Sequence, residues 1–96
     1  MKIYIQSIAF TLRKEVSDFI QNKVKKLTRF YRDIISIEVS LRVDKSNTKN
    51  NKVCRIRLII PGYDILSGAQ CKTFEAATIQ AVEVLERQIE RRKTKY

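Results

Sequence analysis

The sequence predicts an α/β two-layer sandwich, an α+β domain of order β-α-β-β-β-α, with a four-stranded mixed sheet and both helices on one face. Three observations carry this. Apolar residues alternate over 2–8, 34–44 and 53–72. They recur instead at spacings of three and four over 12–31 and again after Thr73. The only Pro-Gly pair, Pro61-Gly62, divides the longest alternating stretch and marks a tight turn.

The first strand, 2–8, sets Ile3 and Ile5 on one face and Lys2, Tyr4 and Gln6 on the other. In 12–31 the stripe runs Leu12, Val16, Phe19, Ile20, Val24, Leu27, Phe30 and Tyr31, a helix of about five turns. Thr11 is its expected N-cap, and Glu15 suits the positive end of the dipole. The second strand, 34–44, turns Ile35, Ile37, Val39, Leu41 and Val43 one way and Ser36, Glu38, Ser40, Arg42 and Asp44 the other. Residues 45–52 are polar throughout, a solvated and mobile loop.

Cys54, Ile56, Leu58 and Ile60 share a face of the third strand, 53–60, with Arg55 and Arg57 opposite. After Pro61-Gly62 the chain returns over 63–72 with Ile65, Ala69 and Cys71 inward, so 53–72 is a hairpin. Thr73 caps the last helix, whose buried stripe is Phe74, Ala77, Ala81, Val82, Leu85 and Ile89. Thr78 and Ile79 blur its register. The helix between strands one and two lets them pair in parallel through a right-handed crossover. The remaining strands make an antiparallel meander. One sheet face is then covered by both helices and the other meets water.

Ninety-six residues bound a single domain, 1–96, with one modest core and little room for a deep pocket. Twenty basic residues against ten acidic ones give +10, which draws a protein toward phosphates or anionic surfaces. No secretory leader opens the chain and no apolar stretch approaches a membrane span, so a cytoplasmic protein with reduced thiols is expected. Cys54 and Cys71, diagonal neighbours in the hairpin register, read as small buried hydrophobes, ill placed for a disulfide. With no histidine they cannot build the usual four-ligand zinc site. No acidic pair shares a strand end or loop, and two glycines cannot make a phosphate loop. A binding protein is expected: no enzyme, no cofactor, no metal, no membrane and no small-molecule substrate.

The cations cluster. Lys23, Lys26 and Arg29 stand three apart on the first helix and form one slanted ridge. Lys23 falls inside the apolar stripe, between Phe19 and Leu27, where a lysine must snorkel along the seam or find a partner. The last helix keeps Glu83, Glu86 and Glu90 on its solvent face and then turns basic through Arg87, Arg91, Arg92, Lys93 and Lys95. Arg92 lies on the angular face of Phe74 and Leu85, so the core stripe ends in a charged tip. With the helices side by side and their basic C-terminal halves together, these eight cations would line one groove for a phosphate backbone, the arginines forking onto its oxygens. On the open sheet face, Arg42, Arg55 and Arg57 beside Glu38, Asp44 and Asp64 read as cross-strand ion pairs. That face lacks the paired aromatics by which a sheet stacks single-stranded bases.

Three stretches now carry a resemblance. The element order, the run Phe19-Ile20-Gln21-Asn22-Lys23-Val24-Lys25-Lys26-Leu27-Thr28-Arg29-Phe30-Tyr31, and the segments Cys71-Lys72-Thr73-Phe74-Glu75-Ala76-Ala77 and Val84-Leu85-Glu86-Arg87-Gln88-Ile89 resemble the short ribosome hibernation promoting factors. These are also called ribosome-associated translation inhibitors or sigma-54 modulation proteins. The resemblance spans nearly the whole chain. It implies a protein that binds ribosomal RNA of the small ribosomal subunit through basic helices. Such proteins occupy the channel used by mRNA and tRNA, block translation when growth stops, and often favour paired ribosomes. By position, Lys23, Lys26 and Arg29 match the family's first-helix cations, and Arg87, Arg91 and Arg92 those of the last helix. A chain stopping at Tyr96 is expected to be the short form, lacking the dimerising C-terminal domain of long members and the acidic tail of the variant that opposes pairing. Two other readings stay open: a ribosome-independent double-stranded-RNA module, and a protein-interaction regulator of transcription.

Overall fold

A computed structural model of the chain describes residues 2–29, 31–46 and 48–93, apart from the side chains of Arg92 and Lys93. The order is β1 (Lys2–Ser7), α1 (Lys14–Lys25) continuing as a 3-10 turn (Lys26–Arg29), β2 (Ser36–Val43), β3 (Lys52–Ile60), β4 (Tyr63–Cys71) and α2 (Phe74–Lys93). The strands lie in chain order, β1-β2-β3-β4. β1 and β2 pair in parallel, and the other neighbours antiparallel. This is the expected two-layer α+β sandwich.

The period-two pattern sorts the strands onto two faces. Ile37, Val39, Leu41, Cys54, Ile56, Leu58, Ile60 and Ile65 meet Ile20, Val24 and Leu27 of the first helical segment and Ala77, Ala81, Val82, Leu85 and Ile89 of α2 in one core. The alanines let α2 sit close on β3 and β4. Thr73 caps α2 as expected: the Ala76 N–H donates to its Oγ1 at 3.1 Å. The doubtful Thr78 is fully buried and satisfied, its hydroxyl donating to Phe74 O at 2.7 Å, and Ile79 simply faces out. At the hairpin, Ile60 pairs with Tyr63 across Pro61-Gly62, and Gly62 takes φ 89°, open to glycine but rarely to other residues. Cys54 lies opposite Ala69, and both cysteines are free.

Four local expectations are corrected. Thr11 does not cap α1; Arg13 holds the N-cap with no side-chain bond, and Ser17 N–H to Arg13 O (3.0 Å) is the first helical bond. The helix is also shorter than 12–31, because it tightens after Lys25. There the Thr28 hydroxyl donates to Lys25 O at 2.8 Å, taking the carbonyl that an α-helical turn would use. Ile35 is 55% exposed rather than inward. The pleat begins only at Ser36, and the turn at 32–33 sends Ile34 into the core instead. The polar loop ends one residue early, since Lys52 already belongs to β3, and its base is tied: Asp44 N–H donates to Asn51 O at 2.7 Å. Phe30 and Tyr96 lie outside the described residues.

Candidate nucleic-acid interface

The helices run the same way. Each follows a strand of the same sense, since β1, β2 and β4 share one direction, and each returns along the covered face. Contacts fix the sense of α2. Thr78 Oγ1 reaches Cys54 Sγ (3.6 Å), Ser67 Oγ donates to Ala81 O (3.0 Å), and Gln88 Nε2 donates to Leu66 O (3.2 Å). As α2 advances, its partners step back along the β3–β4 hairpin toward the Pro61-Gly62 turn.

Two aromatic contacts fasten α1 alongside. Before α1, Phe10 stacks on Phe74, the first residue of α2, with centroids 5.0 Å apart and planes 7° from parallel. Beyond the 3-10 turn, the hydroxyl of Tyr31 meets that of Tyr63 at the start of β4, 3.2 Å away. The helices pack on each other between these points. From Lys14 to Arg29, and from Phe74 to Arg91, the rise is about 25 Å each. Both basic ends therefore reach the same end of the sheet.

The 3-10 turn also reshapes the first cation ridge. Side chains three apart eclipse in a 3-10 helix, whereas they are offset in an α-helix. Lys26 and Arg29, both exposed, thus stand in one column and not on a slanting path. Lys23 finds the partner its place in the stripe demands: its Nζ lies 5.4 Å from the centroid of the Phe19 ring, a cation–π contact one helical turn back. Its stem is half-buried and its charge remains at the surface.

On α2, Arg87 and Arg91 are exposed, while Ile89 between them is fully buried. Arg92 and Lys93 continue the helix, but their side chains lie outside the described residues, as does all of Lys95. Five of the eight expected cations are therefore placed: Lys23, Lys26, Arg29, Arg87 and Arg91. They stand on parallel, touching helices whose C-termini share one end. Those termini carry the negative ends of two helix dipoles, so cations there offset a field that would otherwise repel an anion.

The open sheet face bears out its ion pairs in part. Arg57 donates from Nε to Asp64 Oδ2 at 2.8 Å and lies 3.5 Å from Glu38 Oε1, and these acids raise its pKa. Asp44 is held below the usual carboxylate range by hydrogen bonds from the Ser46 hydroxyl, Gln70 and the Ser46 N–H. Arg55 takes no such pair among the described residues. Burial raises the Cys54 thiol from 9.0 to about 11, though the hydroxyl of Thr78 works the other way. Among the described residues no group of acids and cysteines could hold a metal ion, and no helix is long and apolar enough to cross a membrane.

Fold and charge together define a class: a small two-layer α+β domain with paired basic helices on one face. Residues 3–96 match the family described as sigma 54 modulation protein / S30EA ribosomal protein, and the chain belongs to that family, which is not a family of enzymes. Among solved structures it is similar to a ribosomal subunit interface protein from Coxiella burnetii, with a TM-score of 0.86 at 16% identity over 98% of this chain and 99% of that one. It is similar also to the N-terminal domain of Protein Y from Thermus thermophilus, with a TM-score of 0.74 at 21% identity over 94% and 93%. At these identities the likeness is one of fold. No curated protein sequence matches the chain.

Proposed function

We propose that this protein is a cytoplasmic ribosome-binding hibernation factor. It docks on the small ribosomal subunit, lays its two basic helix ends on ribosomal RNA in the channel for mRNA and tRNA, and inhibits translation in stationary phase by occupying that site. The observation that carries the reading is the parallel pairing of α1 and α2, which delivers Lys23, Lys26, Arg29, Arg87 and Arg91 to one end of the domain. Arg92, Lys93 and Lys95 follow Arg91 closely in the sequence. Membership of the S30EA family supports the ribosome as partner, and the Coxiella relative is described as a ribosomal subunit interface protein. The domain acts as one unit over 1–96 and needs no cofactor, because its work is exclusion and not chemistry.

The test is sedimentation with isolated small subunits at low salt, together with cell-free translation. Co-sedimentation and inhibition are expected. No effect at a several-fold molar excess would sink the reading. Reversing Lys23, Lys26, Arg87 and Arg91 to glutamate together is expected to abolish binding with the circular dichroism spectrum unchanged; retained binding moves the site elsewhere. Equal affinity for a plain RNA duplex would favour the double-stranded-RNA alternative.

A further inference from the structure

The open face of the sheet holds a groove of about 730 Å³ that the helical site does not use. Cross-strand register explains its shape. Tyr4, Glu38, Arg57 and Leu66 form one row across the four strands, and Gln6, Ser40, Arg55 and Gly68 form the next. The second row is low on both sides of Arg55, because Ser40 is short and Gly68 has no side chain. The first row stands above it, with Tyr4 52% and Leu66 64% exposed.

The charges in the two rows differ in state. Arg57 is engaged by Asp64 and Glu38, so those acids are committed as well. Arg55 has no ion-pair or hydrogen-bond partner among the described residues. The groove thus offers one uncommitted guanidinium on a low floor, an exposed aromatic ring on one side and an aliphatic side chain on the other. Tyr4 and Arg55 are two strands and one row apart, about 10 Å across the sheet and about 7 Å along it. Long side chains from those positions converge within the reach of one nucleotide, base to phosphate.

We propose that this groove is a site for one unpaired nucleotide of single-stranded RNA. The base lies against the Tyr4 ring, the phosphate takes the Arg55 guanidinium, and Gln6 and Ser40 offer an amide and a hydroxyl to the base edge or the ribose. A single platform replaces the paired aromatics of other sheet readers, so weak binding with little sequence preference is expected. The choice of RNA as occupant rests on the ribosomal reading above; the groove and its free arginine do not.

The test is an amide NMR titration of the full chain with tetrauridylate at low salt. Shifts at Tyr4, Ser40, Arg55 and Gly68 are expected to saturate together. Arg55→Gln and Gly68→Val are each expected to weaken binding roughly tenfold. A Cβ at Gly68 would meet Arg55 Cγ at 3.5 Å and Cys54 O at 3.6 Å, ordinary contacts, so a side chain can start there without a clash at its first atom. Shifts confined to α1 and α2, or unchanged by both substitutions, overturn the proposal. Co-sedimentation with small subunits, run alongside, keeps the two readings apart. Ribosome binding without sheet-face shifts overturns the groove alone, and sheet-face shifts without ribosome binding support the groove while overturning the helical site.

Discussion

Phe10 and Phe74 stack face to face, 5.0 Å between centroids and 7° from parallel, and so bind the approach to α1 to the first residue of α2. The contact joins positions 64 residues apart in the chain (74 − 10). It sets the two helices in phase from their beginnings, and their basic ends inherit that phase. Phe10→Ala is expected to cost about 2 kcal/mol, the half-buried ring's area plus the stacking. For a domain of this size the melting temperature should fall by about 8–15 °C, measurable by circular dichroism. An unchanged melting temperature would mean that the stack does not hold the helices.

The turn into that stack stores strain. Ala9 sits at φ 65°, a left-handed value that costs alanine about 1 kcal/mol relative to glycine. Ser7 Oγ donates to Phe10 O (2.9 Å) and Ile8 N–H to Leu41 O (2.9 Å), which hold the turn in place. Ala9→Gly is therefore expected to stabilise by up to about 0.6 kcal/mol, after the larger entropy of a glycine chain in the unfolded state. Chemical denaturation at constant m-value would read the gain; a loss of stability would show that the strain is absent.

In the proposed interface Lys23 packs with its stem and binds with its charge, and one substitution separates the two roles. Lys23→Met keeps the stem's bulk against Phe19 and exchanges the cation–π contact for a sulfur–aromatic one, each worth about 0.5–1 kcal/mol. Stability should change by less than about 1 kcal/mol, while affinity for small subunits falls several-fold. Unaltered affinity would leave Lys23 a packing residue only.

Binding through phosphates carries a salt signature. If about four phosphates are neutralised, affinity should fall roughly tenfold for each doubling of ionic strength. Sedimentation across a potassium chloride series gives the slope. A flat response would point to a protein partner instead.

Cys54 predicts the alkaline limit of the fold. Its thiol is raised from 9.0 to about 11, chiefly by burial. A raised pKa means that the unfolded state loses its proton first. The stabilisation is therefore complete below about pH 9 and is lost as pH rises from 9 toward 11. Cys54→Ala should flatten the stability profile in that window, at some cost in core packing at every pH. At neutral pH a thiol reagent should label Cys71, whose Sγ donates to Gln80 Oε1 at 3.0 Å near the surface, well before the buried Cys54.

Most of the architecture was legible from local patterns. Strand faces follow from period two, and the α2 stripe and its Thr73 cap follow from spacing and residue type. Pro61-Gly62 set the hairpin register that places Cys54 opposite Ala69. The errors fell at element ends. Thr11 looked like a cap by composition, yet the chain needs the turn at Ala9 and Phe10 before any helix can start. Ile35 fitted the alternation, but no strand existed there to orient it. The 3-10 turn that aligns Lys26 with Arg29 carries a hydroxyl bond from Thr28 to the Lys25 carbonyl, and nothing in the hydrophobic period marks it.

The sequence by itself determined what each segment is and which of its faces is apolar, because those properties depend on neighbours within one turn or one pleat. It determined too that the cations lie in two clusters. Only the tertiary structure decided that the clusters lie at the same end of the sheet. That outcome depends on helix direction, on the Phe10–Phe74 and Tyr31–Tyr63 contacts, and on two helical paths of about equal rise. These are relations between residues far apart in the chain, to which local periodicity is blind. The same holds for Arg55, whose lack of a partner among the described residues appears only once register gives Asp64 and Glu38 to Arg57.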